Sequence, residues 1–492
     1  MSTILKALAW VAPKAALARA HAIDVIGRAY DGARPGRRGA SFGNKGGSAN
    51  TAIGPSLSRL RDRSRELARN TWIGQRILDV LVSHVVGTGI MAVPDNGSDR
   101  LDRQVSNLWE EWSDQADITG ETDFPGLQAL ALRSMLEGGE AVLRFIPRRI
   151  GDGRVVPLAL QGLEGDHIDT AREGTVEGHR TRLGVGLGDW DERTGYWLFR
   201  DHPGEMTLPS SSTQSVFTPR TDVIHLYRSL RFGQVRGVPV FAPILQSSRD
   251  IADLMDAIVV KSRTEASFAA FVKSNGGQRT LGNQVQQAGR TRIEELRPGS
   301  VNYLDQDEDI IFSNPSGTGQ FEPAMLMALM AAAAGAGITY DQLTGDLRQA
   351  NYSSLRAGKI EFRRLVEQLQ WLGLVPKLLK PTTGRFTDTA VMAGKLRERR
   401  EGYRWNYVMP AVEPIDPKKD LEADIMAVRA GRLSPQEFIA AWGRDWRKVV
   451  ADMATFLEEL DRQKLVLDID PRRTTQTGAA QANPAELPPP AE

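Results

Sequence analysis

The chain has 492 residues, 41% apolar and 25% charged, ordinary proportions for a folded protein and length for about two to four modules of ~100–200 residues. Its 62 basic and 61 acidic residues leave a net charge of +1. That argues against a tight, general nucleic-acid binder, which should be basic, but permits weak contact with DNA or charges of opposite sign segregated in space. There is no Cys, so no disulfide or thiolate metal site forms, which suits a reducing cytoplasm.

Lys6, Lys14, Arg19 and Arg28 are spread through an Ala- and Leu-rich N-terminus. The pattern fits a surface helix or a partner-docking arm. Asp24 and the lack of a small-residue cleavage site weaken the alternatives, targeting or membrane contact. Gly32 to Pro55 is rich in Gly, Ser and Arg and reads as a flexible linker. A helix is expected after Pro55, with Leu57, Leu60, Leu67, Leu78, Leu81 and Val85 at helical spacing. Its Arg59, Arg61, Arg63, Arg65 and Arg69 form a solvated charged face or a surface for a subunit or DNA. Gly87–Ile90 should end this helix and start an extended piece.

Two more amphipathic helices are expected over Leu101–Trp112 and Phe124–Glu137. From Gly138 to Tyr227 the pattern turns to short extended runs, Ala141–Ile146, Leu158–Leu163, Gly195–Phe199 and Asp222–Tyr227, a mostly β part of an α/β domain. His167, His202 and His225 fall here without metal-ligand spacing, and structural or surface roles are expected. The string GVGLG at Gly184–Gly188 lacks the G-x-G-x-x-G spacing and reads as a hairpin bend.

GQVRGVP at Gly233–Pro239 reads as a turn-rich hinge, and Pro243 sits where a helix start tolerates it. Ile244, Ile251, Leu254 and Ile258 make one stripe of that helix; Asp250, Asp253 and Asp256 lie off it, followed by Lys261. The carboxylates form a solvated face or one that repels phosphate. Lys273 to Gln320 breaks the pattern as a small insert. Its basic half holds Lys273, Arg279, Arg290, Arg292 and Arg297, its acidic half Asp305, Asp307, Glu308 and Asp309, with Val301–Leu304 and Ile310–Phe312 as a strand pair.

Met325 to Arg364 is the most informative stretch. A run of small and apolar residues, Met325 to Ala336, makes about three helical turns. A polar connector, Gly337 to Tyr352, follows, and Ser353 and Ser354 can cap a second helix carrying Leu355, Ile360, Phe362 and Leu365. Connections in compact domains run about 4–6 residues, and much longer ones are functional or disordered. Ala331–Ala334 suits close helix approach about an axis or simple helix propensity in a buried segment. Arg348, Gln349, Asn351 and Tyr352 offer a cation, two amides and a phenol, able to touch phosphate and sugar without reading bases or to pack on a neighbour.

The long helix should continue through Trp371 and Leu372 as anchors, with Pro376 as a kink or stop. Helical stretches starting at Ile415 and Leu433, with Trp442, Trp446, Val449 and Phe456, make a C-terminal module, and the chain beyond Asp468 reads as disordered. There is no G-x-x-x-x-G-K-[ST], HExxH, G-x-S-x-G or Cys/His cluster. Ala324 to Ile338, the closest approach to a membrane span, falls short of ~20 residues.

Five strings in order resemble blocks of the lambda-type phage portal proteins: VVGTGI at Val85–Ile90, GQVRGVPVFAPIL at Gly233–Leu245, LRPGSV at Leu296–Val301, LTGDLRQANYSSLRAG at Leu343–Gly358 and IDPKKDLEA at Ile415–Ala423. The resemblance spans roughly Ser56 to Leu465 and implies an α+β, multi-module portal fold: helix-rich wing, stem and crown with a β-rich part and a small α/β clip, assembled as a ring. The implied divisions are an arm over 1–55, wing 56–238, first stem helix 239–272, clip 273–320, second stem helix 321–337, channel loop 338–352, long helix and wing return 353–414, crown 415–467 and tail 468–492.

The implied function is a non-enzymatic dodecameric channel at one capsid vertex, assembled in the bacterial cytoplasm, for genome packaging, ejection and head–tail connection. Double-stranded DNA would pass non-specifically; the terminase large subunit, major capsid protein and head–tail adaptors would be partners, with no membrane and no cofactor. On this reading Arg348, Gln349, Asn351 and Tyr352 face the channel from the loop, Asp250, Asp253 and Lys261 from the stem, and Arg290, Arg292 and Arg297 dock partners on the clip. The alternative is a metal-dependent nucleic-acid-processing enzyme using Asp305, Asp307, Glu308 and Asp309.

Overall fold

The computed structural model describes residues 46–205, 214–267, 271–274, 308–311, 321–348, 351–414, 416–467, 470 and 472. The chain divides into two units. The first, Met1–Ala52, is described from residue 46; there the Ser48 and Thr51 hydroxyls share a hydrogen bond of 2.9 Å. Everything below concerns the second unit, Ile53–Glu492.

The expected helix after Pro55 is two helices, α1 (Leu57–Asn70) and α2 (Trp72–Val85). Thr71 breaks them: its backbone is extended, and its hydroxyl accepts from Gly74 N at 3.1 Å, an N-cap that restarts the helix. Strand β1 (Met91–Pro94) then leads to α3 (Asp99–Ser113) and α4 (Phe124–Gly138). A three-stranded antiparallel sheet packs here in the order β3 (Leu158–Glu164), β2 (Glu140–Pro147), β9 (Val223–Tyr227).

A second, five-stranded antiparallel sheet follows chain order: β4 (Gly174–Val176), β5 (His179–Arg182), β6 (Val185–Leu187), β7 (Arg193–Phe199) and β8 (Ser215–Pro219). The GVGLG string is therefore mainly strand β6. The bend falls after it, where Asp191 takes a left-handed φ of 61° and Gly188 N donates to Glu192 O at 2.8 Å.

One aromatic cluster closes the main core. Trp109 sits 5.0 Å from Trp112, 5.4 Å from Phe124, 5.0 Å from Phe386 and 5.2 Å from Trp405. The last two come from α9 (Lys380–Met392) and β12 (Trp405–Val408), and β12 pairs antiparallel with β1. A segment some three hundred residues downstream thus completes the core begun by α3 and α4, and such buried apolar area is the main source of stability.

The long helix α8 (Tyr352–Gln368) runs into a π-helical stretch, Leu369–Leu379, and on into α9. Pro376 is not a stop: the wider π turn absorbs its missing N–H. The change of pitch also rotates the buried face, so Leu374, Val375, Leu378 and Leu379 are the anchors, while Trp371 and Leu372 are exposed. The start of α8 also differs from expectation. Leu355 N bonds Asn351 O at 3.0 Å, so Asn351, not Ser353 or Ser354, occupies the cap position. On this helix Phe362 is buried and Ile360 exposed.

The Gly233–Pro239 stretch is no free hinge. Gln234, Val235 and Arg236 are buried, and Gln234 Oε1 accepts from Leu230 N at 2.8 Å while its Nε2 donates to Arg236 O at 2.7 Å. Gly237 passes so close to Gly139 that a Cβ on it would strike the Gly139 carbonyl oxygen and carbon. Gly139 itself ends α4 with a φ of 90°, a conformation other residues adopt at a cost. Gly237→Ala is therefore expected to lower the thermal midpoint of the purified protein by several degrees or to abolish soluble expression. A midpoint unchanged from wild type would contradict this packing.

Helix α5 (Leu245–Ser267) has Ile251 buried, but Leu254 beyond it is already exposed. Strands β10 (Phe271–Ser274) and β11 (Glu308–Ile311) pair antiparallel, so the partner of Ile310 and Ile311 here is Phe271–Val272; Val301–Leu304 lies outside the described residues. The C-terminal helices are α10 (Pro417–Arg429), α11 (Pro435–Ala441) and α12 (Trp446–Gln463). Among them only Leu460 is buried, so Trp442, Trp446, Val449 and Phe456 do not build a core within one chain.

Candidate functional site

Helix α6 (Phe321–Ala336) packs its small-residue end on the chain itself. Ala332, Ala333 and Ala336 are buried, and Gly335 faces Ile244 with no room for a Cβ. Ala331 and Ala334 stay exposed on the other side. Met327 and Met330 are exposed higher on α6, as are Met255 and Val259 on α5.

The connector after α6 is more ordered than a polar loop. Gly337 ends α6 with a φ of 80°, and a short helix α7 (Tyr340–Thr344) follows under a capping box. Gln342 N donates to Thr339 Oγ1 at 3.4 Å, and Thr339 N donates to Gln342 Oε1 at 3.0 Å. Leu343 is buried, and Arg76 Nε of α2 donates to Gln342 O at 2.8 Å.

Beyond Gly345, Asp346 clamps Arg348 through three donors: the backbone N at 3.1 Å, Nε at 2.9 Å and Nη2 at 2.8 Å. Tyr340 Oη also donates to Asp346, at 3.2 Å. The Arg348 bonds hold the Asp346 carboxyl well below the usual carboxylate range. Arg348 is nevertheless 78% exposed, a fixed fork turned to solvent. Asn351 is exposed at the head of α8, and Tyr352 is its first residue. Gln349 lies outside the described residues.

Asp250 and Asp253 are exposed on α5, where Arg249 pairs with Asp253 at 3.2 Å, and Lys261 is half-buried. Arg290, Arg292 and Arg297 lie outside the described residues, as do Asp305 and Asp307. Glu308 and Asp309 occupy successive positions of β11, opposite Ser274 and Lys273.

Sequence reasoning missed the buried joint. Glu140, at the start of β2, and Arg236 are both 0% exposed. Arg236 Nε donates to both Glu140 oxygens at 3.0 Å, Nη1 to Leu183 O at 2.8 Å and Nη2 to Gly165 O at 2.9 Å. Arg61 Nη2 reaches Glu140 Oε1 at 2.6 Å and its Nη1 reaches Asp166 at 2.9 Å. Arg61 is thus buried, not on a solvated face. His225 Nε2 meets Glu140 Oε2 at 2.7 Å.

Burial opposes the Glu140 charge, but Arg236, His225 and Arg61 prevail and hold its pKa far below the ordinary range. Burial pushes His225 down to about 4. This joint ties the segment that delivers α5 to the sheet and to α1. The sequence signals were faint: one acid opening an apolar strand, and one Arg flanked by Gly, Val and Pro.

The fold also brings His202 beside His167, with ring centroids 5.4 Å apart, although they are distant in sequence. Ligand atoms of Glu164, Asp166 and His202 lie within 4.8 Å of one another. Arg65 already pairs with both carboxylates and Arg61 with Asp166, so the trio belongs to the ion-pair network around the joint. Among the described residues no helix is long and apolar enough to cross a membrane.

The family model for phage portal protein, lambda family, matches residues 35–370. The chain belongs to that family, and its function is that of a portal protein, a structural component of a tailed-phage head through which the genome passes. It is 24% identical over 425 residues to the probable portal protein of Halomonas phage phiHAP-1, covering 81% of this chain and 80% of that one. It is 21% identical over 467 residues to portal protein B of Escherichia phage lambda, covering 82% and 84%. A chain in the virion of a native gene transfer agent particle aligns with a TM-score of 0.41 at 16% identity, covering 80% of this chain and 93% of that one.

Proposed function

We propose that copies of this chain close into a ring, twelve in number, whose bore is lined by α5, α6 and the connector after α6. One observation carries the reading: apolar side chains that a single chain leaves uncovered, Met255, Val259, Met327 and Met330 on the stem helices, with a C-terminal helical module almost devoid of buried residues. Helices that bury so little alone gain stability from neighbours, and a head-to-tail contact that closes gives a ring. Negative-stain images with particle mass test it; a monomer at micromolar concentration overturns it.

Within the ring, Arg348, Gln349, Asn351 and Tyr352 would meet passing DNA, and Asp250 and Asp253 would keep phosphate from sticking to the stem, with Lys261 at its far end. Arg290, Arg292 and Arg297 of the clip would meet the terminase large subunit and then head–tail adaptors, with the major capsid protein around the wing. The mechanism is steric and electrostatic, without cofactor or catalysis, at the portal vertex of the virion. Because Asp346 neutralises Arg348 and fixes its fork, the DNA contact is weak and blind to sequence. Arg348→Gln is expected to weaken ring–duplex association at low salt and to flatten its salt dependence, while Asp346→Asn strengthens it. Equal salt slopes for wild type and both variants would remove Arg348 from the bore.

A further inference from the structure

A recess of about 570 Å³ opens beside the β6–β7 hairpin. Arg193, Arg220, Tyr227 and Gln234 line it, with Glu192 and Phe232 at its mouth. Arg193 gives its Nη2 to the Tyr227 phenol and, at 3.1 Å, to Gln234 O, while its Nε has no acceptor. Its guanidinium also lies 5.0 Å over the Tyr227 ring. Arg220 approaches the buried Tyr196 phenol, which also feels Arg193. Lys377 lies 4.4 Å over the same Tyr227 ring and donates a hydrogen bond to Tyr227 O at 2.6 Å.

None of these three cations has a carboxylate partner among the described residues. The nearby acids are otherwise engaged: Asp191 pairs with Arg180, and Glu192 accepts from Trp190 N at 2.8 Å. The rim is apolar. Phe232 is fully exposed, Leu230 is exposed beside it, and Trp190 on the hairpin tip is 92% exposed.

From this arrangement we propose that the recess is a docking site for a partner protein's segment that carries a carboxylate next to an aromatic or aliphatic side chain. The carboxylate would enter between Arg193 and Arg220, where guanidinium forks suit it, and the apolar neighbour would cover Phe232 and Leu230. The exposed apolar rim of Phe232, Leu230 and Trp190 offers a phosphate backbone nothing to pair with, so a protein occupant fits better than duplex DNA. The proposal is independent of the ring and channel reading.

The test uses the full chain with N-acetyl-aspartyl-phenylalanine amide, its asparaginyl counterpart, inorganic phosphate and a short DNA duplex, followed by saturation-transfer NMR. The aspartyl probe should bind and the asparaginyl probe should not. Arg220→Gln and Phe232→Ser, both at exposed positions, should each weaken the aspartyl probe at least about fivefold with the thermal midpoint retained. Equal binding of the two peptides, or binding unchanged in both variants, overturns the proposal. So does displacement of the peptide by phosphate or duplex, which would make the recess a phosphate site. A fall in particle mass on adding the peptide also overturns it, since the occupant would then be a second copy of this chain.

Discussion

Arg236→Ala is expected to destabilise the protein by about 3–5 kcal/mol, the usual cost of stranding one partner of a buried ion pair. Glu140 would keep Arg61 and His225 but lose the three hydrogen bonds it accepts from Arg236, and Leu183 O and Gly165 O would lose their guanidinium donors. The damage should reach α5, because the same strap carries Val240, whose N bonds Leu136 O at 2.8 Å just before that helix. Thermal unfolding and limited proteolysis between residues 228 and 245 check this. Glu140→Leu combined with Arg236→Met should recover much of the loss, because replacing both charges removes their desolvation cost; a double variant as unstable as the single one would show that the charges themselves are required.

The same joint sets a pH dependence. His225 is held neutral down to about 4 against an ordinary value of 6.5, so between these values the unfolded chain binds a proton that the folded chain does not. Stability therefore rises with pH across that window, and falls by roughly 3 kcal/mol on going from neutral pH to its lower end. Glu140 acts at lower pH in the same sense. Its depressed pKa gives stability that is present above the ordinary carboxylate range and lost as pH falls toward the folded value.

If the uncovered faces of the stem helices meet neighbouring copies as proposed, Val259→Asp and Met327→Asp are expected to reduce ring assembly by more than about tenfold, because each would place an unpaired carboxylate in every subunit interface. The monomer should be untouched. Met327 is 71% exposed in a single chain, and substitutions at such positions usually change stability by less than about 0.5 kcal/mol. Mass photometry beside a thermal melt separates the two effects. Rings at wild-type yield in both variants would mean that these faces meet solvent, not neighbours.

Much of the helical skeleton was legible because apolar spacing records one buried face. Val105 and Trp112 of α3 and Phe124 and Leu132 of α4 are buried as their period requires. Misreadings fell where a local rule met a tertiary one. Thr71 looks like a continuing helix until its hydroxyl caps Gly74. Trp371 and Leu372 look like anchors until the π stretch rotates them outward. Arg61 shares its helix with Arg59, Arg63 and Arg69, which are exposed, and no local pattern marks it as the one that meets Glu140.

By itself the sequence determined the family, through ordered blocks of residues, and most helix and strand positions, through periodicity and breakers. These are local properties, set by backbone preference and by which face of each element is apolar. Only the tertiary structure decided which charges are buried and which are paired, because Arg61, Glu140, His225 and Arg236 come from four separate segments. An ion pair's energy depends on distance and dielectric, and neither is written in the order of residues along a chain.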